Sequence, residues 1–112
     1  MFPVEKFSKI PTPFYYYDLA LLNETLTAVE AASPDPAFKV HYAVKANSNE
    51  RILRMIADRG FGADTVSCGE IVRAIECGFK PEHIVFAGVG KTDAEISEAI
   101  RLGIGCFNVE SA

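Results

Sequence analysis

Two hydrophobic rhythms alternate along this chain. Short runs of consecutive apolar and β-branched residues suit strands, and longer stretches with an apolar residue every three or four positions suit helices with one inward face. Phe14-Tyr15-Tyr16-Tyr17 predicts an aromatic strand, entered through the rigid Ile10-Pro11-Thr12-Pro13. Asp18 is placed to cap a helix reaching about residue 32, with Leu19, Leu22, Leu26 and Val29 inward, before Ser33-Pro34-Asp35-Pro36 stops it. A strand over 39–44 follows. The next helix, over about 50–59, turns Ile52, Met55 and Ile56 inward and ends at Gly60.

The same unit then recurs. A strand over 62–66 leads to a helix over 69–77 that buries Ile71, Val72 and Ile75 and stops at Gly78. A strand over 84–87 leads to a helix opened by the capping box Thr92-Asp93-Ala94-Glu95, with Ile96, Ala99 and Ile100 inward and Gly103 at its end. A strand over 105–109 comes last. The expected strand ends at Lys45, Val66, Ala87 and Val109 are spaced by 21, 21 and 22 residues. Such even strand–helix units imply parallel strands with right-handed crossovers, either in a (β/α)₈ barrel or in an open doubly wound sheet. In both, chemistry gathers at the carboxyl ends of the strands. Four strands do not close a barrel, so the sequence reads as the first part of one, truncated after about four parallel strands.

Composition changes little in this picture. Among 112 residues, 49% are hydrophobic and 23% charged, and the net charge is −4 with both signs interspersed. No basic patch points to nucleic acid, no apolar run has membrane-spanning length, and the first residues do not form a signal peptide. A cytoplasmic location is the default expectation. Cys68, Cys77 and Cys106 form no Cys-x-x-Cys motif, and His41 and His83 are too scattered to suggest a zinc site, so no metal is expected. Cys77 and Cys106 read as small core residues, and Cys68 as a structural residue with some exposure. Asn23-Glu24-Thr25 matches a glycosylation sequon only by chance, inside a helical stretch. Neither Gly60-Phe61-Gly62 nor Gly88-Val89-Gly90 completes a dinucleotide fingerprint. Gly90-Lys91-Thr92 resembles the end of a P-loop, but Val85 stands where its first glycine is required, so Lys91 reads as a solvated loop lysine.

Val40-His41-Tyr42-Ala43-Val44-Lys45 carries the main chemical candidate. A lysine at the end of a strand has rigid support behind it and an open face ahead, which suits an amine meant to react. The plain alternative is a strand-end lysine that only meets water.

The wording of the stretch adds a family. Tyr42-Ala43-Val44-Lys45-Ala46-Asn47-Ser48-Asn49 resembles the cofactor-lysine motif of the diaminopimelate decarboxylases, alanine-racemase-like enzymes that use pyridoxal phosphate. Thr12-Pro13-Phe14-Tyr15-Tyr16-Tyr17-Asp18 is similar to their lead-in, and Gly62-Ala63-Asp64-Thr65-Val66-Ser67-Cys68-Gly69-Glu70 to their next segment. Gly78-Phe79, Ile84-Val85-Phe86 and Gly88-Val89-Gly90-Lys91-Thr92 follow in the same order.

This resemblance implies an α/β fold, the N-terminal part of a pyridoxal-phosphate-binding (β/α)₈ barrel. It implies that Lys45 holds the cofactor as an internal aldimine, and that Asp64 and Ala43 belong to the cofactor site. Residues 1–18 would be a lead-in that packs with a β-rich C-terminal domain absent from this chain, and 19–112 the first part of the barrel. The implied reaction takes meso-diaminopimelate to L-lysine and carbon dioxide in a homodimer, with the remaining site residues beyond Ala112. For Asp64 the alternative is a cap of the following helix, and Ser67 reads above all as a cap. For the whole chain the alternatives are a related decarboxylase with another amino-acid substrate, a protein that binds the cofactor without turnover, and, last, a noncatalytic α/β interaction module.

Overall fold

In the computed structural model, which describes residues 2–111, four strands form one sheet in the order β1-β2-β3-β4. These are β1 His41–Ala43, β2 Gly62–Thr65, β3 Ile84–Phe86 and β4 Cys106–Phe107. Every adjacent pair is parallel. Helices α1 (Val4–Phe7) and α2 (Leu19–Ala32) precede the sheet, and α3 (Glu50–Asp58), α4 (Cys68–Glu76) and α5 (Asp93–Arg101) join its successive strands. Spatial order equal to sequence order is the mark of a barrel wall, since a doubly wound sheet reverses order at its switch point.

The helices start where their capping residues stand. Asp18 accepts a hydrogen bond from the Leu21 N–H at 3.1 Å, and Asn49 from that of Arg51 at 3.0 Å. Ser67 accepts from the Glu70 N–H at 3.2 Å, and Thr92 from that of Glu95 at 3.3 Å. Each bond satisfies a donor that the helix itself leaves unpaired. Past α3, Gly60 takes φ +83°, a backbone state that L side chains enter only at a cost.

Strand alternation sorts the sheet into two faces. On the helix-covered face Val44, Ala63, Thr65, Ile84 and Phe86 are buried against Leu26, Ile52, Leu53, Ile56, Ile71, Ala74 and Ala99. Thr65, the buried polar residue of this face, donates its hydroxyl to the Val85 carbonyl at 2.8 Å and so carries no desolvation penalty. On the opposite face the register sets Ala43, Asp64, Val85 and Cys106 in one row, and none of the four is buried.

Several expectations change. Residues 14–17 form no strand in this chain; Phe14 and Tyr16 instead pack their rings on Phe7, and Tyr15 stacks on Tyr17. A strand exists only with a pairing neighbour, and here the unpredicted α1 offers an aromatic contact instead of an edge. Cys106 is exposed rather than core, because alternation in β4 turns it to the open face. Val72 is 39% and Ile100 63% exposed. In α4 the buried positions are Ile71 and Ala74, one helical turn apart, which leaves Val72 about 100° around the axis. Ile100 opens onto a cleft beside β4, whose outer edge pairs with no strand among the described residues.

Candidate functional site

The chain leaves β1 through a single 3₁₀ turn, Val44–Ala46, so Lys45 sits just past the strand rather than on its last residue. Val44 is fully buried and anchors the turn, while Lys45 is exposed. Its amine forms no hydrogen bond or ion pair among the described residues. The segment behind it is well fixed. The Tyr42 hydroxyl donates to the Asn47 carbonyl at 3.0 Å, the Asn47 side chain accepts from the Asn49 N–H at 2.9 Å, and Arg73 of α4 donates to the Ser48 carbonyl at 3.3 Å. The backbone is therefore held while the amine reaches outward. The partly desolvated setting that a reactive lysine calls for is not supplied by these residues.

Asp64 stands in β2, directly beside Ala43 in register, and is half-buried on the open face. It does not cap α4, because Ser67 does. The helix-cap alternative for Asp64 is thereby removed, and its carboxylate has no structural duty among the described residues. Ala43 and Asp64 thus lie together on the open face, with Lys45 two residues past Ala43. Lys45 and Asp64 form no ion pair with each other.

Ser67 and Glu70 are accounted for locally. The Glu70 carboxylate accepts from the Val66 N–H at 2.8 Å while Ser67 takes the Glu70 N–H, a variant of the capping box that fixes the start of α4. The Cys68 thiol points to the Glu95 carbonyl at 3.3 Å, and burial pushes its pKa up, with Glu95 and Glu98 adding to the rise. It is a packed structural thiol rather than a reactive one.

Lys91 departs from its expected role as a solvated lysine. Its amine donates to the carbonyls of Gly88 and Asn108, at 2.8 Å for the latter, and lies 5.2 Å from the centre of the Phe86 ring. It ties the loop after β3 to the segment after β4. The sequence held one signal for this, a lysine two residues before a helix start in a glycine-containing loop, but its partners come from two separate strands. Tyr42 was likewise passed over, although its place beside Ala43 sends it to the opposite, helix-covered side, where its hydroxyl must find an acceptor.

The largest cleft, about 450 Å³, lies at the amino ends of the strands, lined by Lys39, His41, Arg59, Glu82 and His83 among others. It is remote in register from Lys45, and its Arg59 is already engaged by Glu30, Asn23 and Thr27. No helix among the described residues is long and apolar enough to cross a membrane.

Comparison with known proteins places this geometry. Residues 19–112 match the family described as pyridoxal-dependent decarboxylase, pyridoxal binding domain. A diaminopimelate decarboxylase of Bacteroides thetaiotaomicron is 52% identical over 112 residues, which are 99% of this chain and 29% of that protein. The solved structure of an Aquifex aeolicus protein superposes with a TM-score of 0.88 at 42% identity, over 96% of this chain and 27% of the other. The diaminopimelate decarboxylase of Helicobacter pylori, solved in complex with L-lysine, gives a TM-score of 0.80 at 43% identity over the same shares. The chain spans little more than a quarter of the length of these relatives, and the shared fold makes its sheet part of an α/β barrel.

Proposed function

This chain belongs to the pyridoxal-dependent decarboxylases, and on that premise we propose that it carries the cofactor lysine of an enzyme converting meso-diaminopimelate to L-lysine and carbon dioxide. The observation that carries the reading is Lys45: an exposed amine without a partner among the described residues, on a turn held rigid from behind, at the carboxyl end of a parallel strand. The donor set fits pyridoxal phosphate. A primary amine is available to hold the aldehyde covalently, a carboxylate without structural duty lies one strand away, and the small Ala43 leaves the face between them unobstructed. Lys45 would hold the group through Nζ. Asp64 would favour positive charge nearby, and Ala43 would admit the ring close to the backbone. When bound, the cofactor supplies the electron sink that loss of carbon dioxide from an amino acid requires.

The same reading gives the rest of the protein its outline. Residues 1–18 form a lead-in whose exposed tyrosines pack with a β-rich second domain, and 19–112 form the first part of the barrel. The whole acts as a cytoplasmic homodimer in lysine biosynthesis. Ala46-Asn47-Ser48-Asn49 after the lysine favours diaminopimelate over the substrates of related decarboxylases. One observation supports a second reading for these 112 residues alone. Because Lys45 is exposed, they would bind the cofactor reversibly without turning substrate over.

The test is a borohydride trap. The protein is mixed with pyridoxal phosphate, reduced, digested and mapped by mass spectrometry. Modification is expected on Lys45, both in the full-length protein and preferentially in this chain. Labelling scattered over Lys6, Lys9, Lys39, Lys80 and Lys91 in the full-length protein overturns the assignment.

A further inference from the structure

The turn that presents Lys45 is fastened by a side chain of its own strand. Tyr42 shares the register row of the buried Ala63 and faces the helices. Its ring lies in a groove with Tyr17, Leu19, Leu22 and Ile52, and its hydroxyl donates to the Asn47 carbonyl at 3.0 Å. This bond runs from the strand to the residue just beyond the turn and so closes a short loop with Lys45 at its crest.

A three-residue 3₁₀ turn has poor internal hydrogen bonding and depends on what ties its ends. One end is anchored by the buried Val44. At the other, Asn47 takes an extended backbone with φ −162°, and the Tyr42 hydroxyl holds its carbonyl. Burial pushes the Tyr42 phenol above its ordinary pKa, which keeps the hydroxyl protonated and able to donate. The remaining ties, from Arg73 to Ser48 and from Asn49 to α3, fix the segment one step later and do not substitute for it.

We propose that Tyr42 is a positioning residue for Lys45, whose hydroxyl strap on the Asn47 carbonyl sets the pose in which the amine captures its cofactor. The proposal rests on the reading of Lys45 as the cofactor lysine. Tyr42 itself touches neither cofactor nor substrate.

Tyr42→Phe removes the strap and keeps the ring in its groove. In the full-length protein, freed of cofactor and then mixed with pyridoxal phosphate, the variant should still be labelled on Lys45 after reduction. The absorbance of the lysine-bound cofactor should develop about tenfold more slowly, the scale of one lost hydrogen bond at a site that demands orientation. The kcat should fall by a similar factor, with the KM for diaminopimelate within about twofold, since the substrate's own contacts are untouched. A merely structural tyrosine would lower the melting temperature without changing either rate in the folded protein.

Wild-type capture and kcat in Tyr42→Phe overturn the strap and leave Lys45 standing. Wild-type protein that takes no label on Lys45 overturns both the assignment and the proposal. Should the variant not fold, the unmodified protein decides: a Tyr42 hydroxyl proton protected from exchange in its nuclear magnetic resonance spectrum upholds the strap, and a freely exchanging one overturns it.

Discussion

Lys45 and Lys91 stand just past strands of the same sheet, at the same edge, and differ in almost everything else. Lys91 has its amine on two carbonyls and over an aromatic ring. Lys45 is exposed, and its amine is without a partner among the described residues. An ammonium held in that way must break several favourable contacts before its nitrogen can attack anything, whereas Lys45 has none to break. Position after a strand therefore does not make a lysine reactive. The turn does. The tight Val44–Ala46 turn, rooted on a buried valine, presents Lys45 outward. The longer loop after β3 passes through Gly88 at φ +102° and returns so that Lys91 reaches across to Asn108.

The sharpest way to break this contrast is to exchange the roles. Lys45→Ala in the full-length protein is expected to lower decarboxylation by at least about a thousandfold, the scale of losing a covalent residue, with unchanged circular dichroism. Lys91→Met should leave the pyridoxal label on Lys45. Near-wild-type turnover in Lys45→Ala, measured by carbon dioxide release, would end the assignment.

Asp64→Asn sharpens the same contrast by removing charge beside one lysine only. Since Ser67 caps α4, no helix loses its cap, and the melting temperature should hold. Turnover should fall about ten- to a hundredfold, as for loss of one electrostatic contact in a reactive site. A variant that loses stability but not turnover would return Asp64 to a structural role.

Lys91→Met should act on stability instead. Two hydrogen bonds from a cation and a cation–π contact, all partly exposed, are together worth about 1–2 kcal/mol. A double-mutant cycle with Phe86→Leu, read by urea denaturation, should recover about 0.5–1 kcal/mol of coupling for the ring contact. No coupling would mean that the ring is a bystander.

How much of this was legible beforehand follows from the range of the interactions. The caps at Asp18, Asn49, Ser67 and Thr92 are local, and the helices begin where these residue types predict. The inner stripe of α2 was legible for the same reason, as was the order of parallel strands, since short links leave few topologies. Burial at the margins was not. Leu53 is fully buried and was overlooked, whereas Val72 and Ile100 were expected inside and are exposed, because the side of a helix that gets covered depends on its neighbours. The aromatic stretch at 14–17 has strand composition without a strand partner in this chain. At the site, the position of Lys45 and the pairing of Ala43 with Asp64 could be anticipated from strand spacing. The exposure of Lys45 and the engagement of Lys91 could not, since both are set by residues distant in sequence.

The smallest effect lies at the helix start that follows Lys91. The Glu95 carboxylate accepts from the Thr92 N–H at 3.0 Å, and Thr92 accepts from the Glu95 N–H in return. The hydrogen bond from the Thr92 backbone, then that from its hydroxyl, hold the Glu95 carboxyl below its ordinary pKa. A folded value below the unfolded one, about 4.3 for a glutamate, stabilises the box fully above that pH. The stabilisation fades as acid carries the pH down through the lowered folded value. Thr92 adjoins Lys91, so protonation of Glu95 should loosen the start of α5 and the hold on Lys91 together, making the second lysine more like the first. Amide exchange at residues 93–96, corrected for its chemical pH dependence, should rise in mild acid ahead of global unfolding. Glu95→Gln keeps an acceptor but cannot titrate, and should remove that rise. An equal acid response in the variant would place the sensitivity elsewhere and leave Lys91 held by its carbonyls alone.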